Sequence, residues 1–261
     1  MPQLRHKTEC PRHALRDSIF GGKKFHSSET KGKVVERVQS RFAPLIKIGS
    51  EAQPLMAQIR RWNRWHEIGA PRVQNVLEHA HSIQILAAIV LTQLAPYGAL
   101  IDPQLVSLAI TVHDMPEGLL KRDVPQPFKT ADDDVREYLV FAQQIADLPV
   151  RSRERFERAF LLQFAVRPNE WIEKLPIHAQ KVVREIKAHW LREAEVFAAL
   201  EELDYILYAI EHMEREKILF HQVISIRVPV LNGLSDNIAG FREEIWPRWV
   251  SDTLLKKAAE M

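Results

Sequence analysis

Cysteine is almost missing from this chain: Cys10 is the only one in 261 residues. No intramolecular disulfide can form, thiolate metal ligands are excluded by composition, and nothing calls for an oxidising compartment. An excess of charge of one sign is missing too. Thirty-six Lys and Arg stand against 34 Asp and Glu, a net charge of +2. The strongly basic face that duplex nucleic acid demands is therefore not expected. Long hydrophobic runs are also lacking. The most apolar stretch, Ile83 to Leu94, is interrupted by Gln84, Thr92 and Gln93 and is too short to span a bilayer. The opening residues MPQLRHKTECPRH have no apolar centre of a secretory leader. The expected setting is the cytoplasm, away from membranes. No GxSxG turn, P-loop or dinucleotide fingerprint occurs, which argues against serine-nucleophile, ATP-driven and redox chemistry.

What is present is an ordinary soluble composition, 46% apolar and 27% charged. Residues 1–45 differ from the rest, with Arg5, Lys7, Arg12, Arg16, Lys23 and Lys24 among many basic side chains and little apolar periodicity. They read as a basic N-terminal extension. From about residue 50 the pattern turns helical. Val76, His79, Ile83, Leu86, Val90 and Leu94 recur at gaps of three and four, one face of a helix. Asp102-Pro103 marks the start of a second helix, and Pro116 predicts its end just after Asp114. Further helices are expected near 132–147, 153–164, 178–190, 192–216 and 248–260. The segment 222–247 is ambiguous, because VISIRVPVL alternates like a strand before Asn232, Gly233 and Gly240. Strand signal is otherwise scarce, so the fold class is all-α.

Several polar residues fall where apolar ones belong. His79 shares a face with Ile83, Leu86 and Val90; alone, it is equally a hydrogen-bonded core histidine. His81 is rotated by about 200° from it and points elsewhere. His113-Asp114 closes the next helix. Adjacent helical side chains diverge by about 100°, so both can grip one ion only beside a helix end or between helices. Asp204 is in register with Val196, Leu200 and Leu207. Buried and unpaired it would cost several kcal/mol, so it needs a salt-bridge partner or a metal. Jointly, two imidazoles and two carboxylates make a nitrogen and oxygen set suited to Mn, Fe, Co, Ni, Zn or Mg.

The order of these residues resembles the HD-domain metal-dependent phosphohydrolases: Glu78-His79, then His113-Asp114, then a lone Asp204 on a late helix. Within that superfamily the chain is most similar to the bacterial 5'-deoxynucleotidase branch. Arg64-Trp65 ahead of the first histidine, Asn75-Val76 with Glu78-His79, and the run HDMPEGLLKRDVPQPFK carry the likeness. It covers roughly residues 55–145 and 195–215. The resemblance implies an HD helical bundle over 46–220, with 221–261 packed on it. It further implies that His79, His113, Asp114 and Asp204 hold one divalent ion. Glu117 would be the acid/base, Asp123 would sit near the sugar or the attacking water, and Arg64, Trp65 and Lys129 would meet substrate. The chain departs from the branch in the longer spacing from Glu117 to Asp123, in the longer stretch before Asp204 and in the basic extension.

The function so implied is removal of the 5'-phosphate from (deoxy)nucleoside monophosphates, with a small-molecule nucleotide as partner and a homodimer as the expected assembly. One alternative is an HD hydrolase releasing triphosphate or pyrophosphate from a nucleoside triphosphate, for which Lys121, Arg122 and Lys129 are the candidate cations. The other is a non-catalytic metal-binding module.

Overall fold

Helix starts are written into the sequence as capping residues, and the computed structural model shows those caps formed. It describes residues 43, 52–59, 61, 74–97, 100–122, 124, 129–215 and 217–261. A short helix α1 (Gln53–Met56) precedes α2 (Val76–Leu94). Asn75 opens α2 with a capping box. Its side chain accepts from the Glu78 N–H at 2.8 Å, and the Glu78 carboxylate accepts from the Asn75 N–H at 3.0 Å. Such a cap contributes about 1 kcal/mol. Asp102 caps α3 (Pro103–Val112) by accepting from the backbone of Gln104 and Leu105, with Pro103 in the first turn.

After α4 (Met115–Leu120), Thr130 and Asp133 form a second capping box at the head of α5 (Ala131–Gln144). The remaining helices are α6 (Val150–Leu161), α7 (Asn169–Ile172), α8 (Ile177–His189), α9 (Leu191–His212), α10 (Lys217–Ser235), α11 (Phe241–Glu244) and α12 (Arg248–Ala259). No strand occurs among the described residues, and the fold is an all-α helical bundle.

Three expectations need correction. The segment VISIRVPVL is helical. Leu219, Phe220, Val223, Ile224, Arg227, Val228 and Leu231 are buried at gaps of three and four, a helical period hidden under a β-branched composition. Pro229 sits inside that helix without ending it. The second helix stops at Val112, earlier than expected, and α4 starts at Met115, because Pro116 falls in its first turn, where a missing N–H costs nothing. On α9, Leu207 is not on the face of Asp204 that meets the core; it is 41% exposed, while Leu203 is buried.

Helix α9 is the axis of the bundle. It packs on α2, α3, α8, α10 and the 3-10 turn Leu162–Phe164, and α10 packs in turn on α12. The core elsewhere is aromatic: the Phe141 and Phe160 rings stack at 4.3 Å, and both are fully buried. Helix α4 lies against α1 and α5. A Cβ on Gly118 would meet the backbone nitrogen of Met56 at 2.9 Å, so only glycine lets α4 seat this closely.

The chain divides between Ala43 and Pro44, and all the described residues except Ala43 belong to the unit Pro44–Met261. Helix α10 runs unbroken across position 220, where a separate C-terminal segment was expected to begin. The stretch Val76–Tyr97 and helix α10 are each long and apolar enough by composition to cross a membrane. Each buries one face in this bundle.

Candidate metal centre

The site forms where α2, the α3–α4 corner and α9 meet. His79 comes from the first turn of α2, set by the Asn75 cap. His113 is the C-cap of α3, and Asp114 precedes the first turn of α4 with φ −96° and ψ 0°. This break lets two consecutive side chains face one point, which an unbroken helix would prevent.

His79, His113 and Asp114 are all buried, and one ligand atom from each lies within 4.8 Å of the others. The Asp114 Oδ2 is 3.1 Å from the His113 Nε2 and 3.8 Å from the His79 Nε2. The two rings meet edge to face at 5.8 Å. This group can hold a divalent ion, and the chemistry of its donors supports that fit.

Partners behind the rings fix which nitrogen faces inward. The His113 Nδ1 is 2.9 Å from the Ile110 carbonyl, which can only accept, so Nδ1 carries the proton. The His79 Nδ1 is 2.7 Å from the Asp204 Oδ2 and donates to it. In both neutral rings the Nε2 lone pair therefore points into the site. Both Nε2 atoms are buried and make no hydrogen bond among the described residues. Lone pairs of nitrogen and carboxylate oxygen converging in a buried place repel unless a cation stands between them.

Asp204 was expected to complete the ligand set, and the structure sets it one step further out. One of its oxygens takes the His79 Nδ1 proton and the other accepts from the Ser82 hydroxyl at 2.5 Å. Glu201, one turn earlier on α9, faces the inward nitrogens instead. It is 2.9 Å from the His113 Nε2 and 3.4 Å from the His79 Nε2. Its Oε1, also buried, makes no hydrogen bond among the described residues. The sequence held a signal for it: Glu201 and Asp204 are spaced so that one helix face carries both.

Electrostatics follow from this crowding. Burial would raise the Asp114 carboxyl, but His113 beside it, with Arg61 and His79, holds it well below the usual carboxylate range. Burial opposes the charged form of Glu201 in the same way, and His113 and His79 hold that carboxyl low too. Burial pushes the His113 imidazole down, and the charges of Asp114 and Glu201 more than reverse it. Burial and Arg61 lower His79, and Glu201 and Asp204 outweigh them. Without a metal, protons stabilise the cluster.

His113 and Asp114 of this group line a cleft of about 250 Å³. Glu117, a turn past the doublet on α4, and Lys129 also line it. Lys129 is partly buried, 2.6 Å from Glu137 and 3.6 Å from Asp134; desolvation works against its ammonium charge, but these carboxylates together with Glu117 outweigh it and raise its pKa. The expected substrate residues Arg64 and Trp65, and the expected catalytic Asp123, lie outside the described residues. Arg61 is the guanidinium that the described structure brings against Asp114; Arg167 and Arg227 also line the cleft. Arg61 donates to Asp114 at 3.1 Å and to the Tyr205 hydroxyl. Of the cations considered for a triphosphate, Lys121 and Arg122 are not among the described residues lining the cleft. Arg122 instead pairs with Asp133.

No family model, no curated protein and no solved structure matches this chain.

Proposed function

We propose that this protein is a metal-dependent phosphohydrolase of the HD type that cleaves small phosphate monoesters, with (deoxy)nucleoside 5'-monophosphates as the substrate class. One observation carries the proposal. Two histidines locked as Nδ1–H tautomers turn their Nε2 atoms toward Asp114, which lines a cleft that also holds a carboxylate, Glu117, and a guanidinium, Arg61.

Within this proposal, His79, His113, Asp114 and Glu201 hold the ion, and Asp204 orients His79. A bound divalent ion supplies Lewis acidity toward a phosphoryl oxygen and eases deprotonation of water. Glu117 takes a proton from the attacking water as the new P–O bond forms. It returns that proton to the ester oxygen as the old P–O bond breaks, so the products are an alcohol and inorganic phosphate. Arg61, fixed by Asp114 and Tyr205, offsets charge gathering on the phosphoryl oxygens. Of the three cations expected for the triphosphate alternative, Lys129 alone is among the described residues that line the cleft, and it is engaged with Glu137 and Asp134.

The test is a panel of nucleoside mono- and triphosphates with added Mn²⁺, Co²⁺, Mg²⁺ or Zn²⁺, followed by detection of phosphate and triphosphate. Phosphate release from monophosphates is expected. Triphosphate release would favour the alternative, and inertness of the metal-loaded protein toward every substrate would leave a binding module.

A further inference from the structure

Several residues that line the cleft are aliphatic. Val166 follows the 3-10 turn Leu162–Phe164, and Ile226 and Val230 stand one turn apart on α10. All three line the cleft. They are nevertheless 37%, 45% and 45% exposed, large aliphatic groups left facing water around a charged floor. Phe197 links the two regions. It lines the same cleft, and its ring meets the His113 ring edge-on at 5.3 Å. The cleft thus carries apolar side chains from Phe197 on α9, beside His113, to Ile226 and Val230 on α10.

Polar groups that line the same cleft have partners within the protein: the Arg167 guanidinium lies over the Trp171 ring at 5.5 Å. The Gln163 amide donates to the Phe160 carbonyl at 3.2 Å. Arg227 pairs with Glu202 at 3.0 Å and stacks over the Tyr205 ring at 4.3 Å. A polyol placed here would exchange water for an aliphatic wall, and its hydroxyls would lose hydrogen bonds. A flat apolar ring would bury surface that is now wet, at about 25 cal/mol per Å².

We propose that this shelf of Val166, Phe197, Ile226 and Val230 receives the organic group of the ligand, and that it selects a flat aromatic or heteroaromatic ring over a polyol. The inference rests on the phosphohydrolase reading for the placement of the phosphoryl end. A nucleobase satisfies it, as does a simple aryl group; a sugar phosphate without a base does not.

The test uses phosphonates, which cannot be hydrolysed, titrated calorimetrically into the full chain loaded with Mn²⁺. Benzylphosphonate is expected to bind at least about tenfold tighter than methylphosphonate, the range in which an apolar pocket discriminates small apolar increments. Ile226→Ser and Val230→Ser should each shrink that ratio severalfold and leave methylphosphonate affinity unchanged. Both positions are half exposed, and the wild-type ratio decides by itself if either variant fails to fold. Equal affinities, a ratio indifferent to both substitutions, or no binding of either phosphonate would overturn the shelf. A protein that discriminates the two phosphonates but releases phosphate from no ester would overturn the phosphohydrolase reading and leave the shelf standing. Turnover of ribose 5-phosphate as efficient as that of phenyl phosphate would do the reverse.

Discussion

The Nδ1 of His79 lies 2.7 Å from the Oδ2 of Asp204, so this carboxylate grips the ring from behind and turns the other nitrogen toward His113 and Asp114. A carboxylate in that position tunes a ligand without being one. Asp204→Asn, which keeps an oxygen acceptor for the imidazole proton, should therefore weaken metal binding about 10- to 100-fold without abolishing it. His113→Ala and Asp114→Ala should abolish both metal retention and turnover, and Glu201→Ala should cost more affinity than Asp204→Asn. Metal titration of the four variants by calorimetry checks the ranking. A larger loss in Asp204→Asn than in Glu201→Ala would return the fourth ligand position to Asp204.

Glu117 lines the cleft but lies outside the three-residue group, so its removal should separate chemistry from metal binding. Glu117→Ala should bind metal like the wild type and lose about 10²- to 10⁴-fold in kcat, the usual contribution of a positioned acid/base. Metal content by mass spectrometry, beside phosphate release, reads both. Near-normal turnover would remove Glu117 from the mechanism.

The pH dependence of stability should change sign with metal. In the metal-free protein, His79 and His113 are held above their ordinary value of 6.5. Their stabilisation is fully present below that value and lost as pH rises through the raised folded values. Metal needs the neutral rings, so its affinity grows across the same window. The gap in Tm between Mn²⁺-loaded and chelator-treated protein should widen from pH 5.5 to 8.5. A gap that narrows would contradict histidine ligation.

Phe141 and Phe160 offer a control away from the site. Both are fully buried and stacked at 4.3 Å. Phe141→Ala should cost about 3–5 kcal/mol of stability through the cavity it leaves. Denaturant unfolding measures this, and metal affinity of the folded fraction should not change. A loss below about 1 kcal/mol would mean the core closes over the gap.

Much of this was legible in the sequence where local rules act. Asp102 with Pro103 marks the start of the helix that leads to His113, and the doublet does sit at a helix break. Which of Asp204 and Glu201 faces the inward nitrogens was not legible, although their spacing put both on one face. Only the orientation of the His79 ring decides which of them meets those nitrogens. Arg61 escaped notice because it carries no periodic or motif signal; its place is set by its contacts with Asp114 and Tyr205, distant in sequence. Helix α10 was hidden because Val and Ile favour strands when read locally, and only burial against α9 and α12 selects the longer period.

The corner between α3 and α4 joins two tasks mechanically. His113 ends one rod, while Asp114 and Glu117 ride on the other, and Gly118 presses that second rod against α1. A tilt of α4 would swing the carboxylates of Asp114 and Glu117 together while both imidazoles stayed behind. On the proposed function, grip on an ion and readiness for proton transfer would be geared to one joint, and a contact made on α1 would reach both at once.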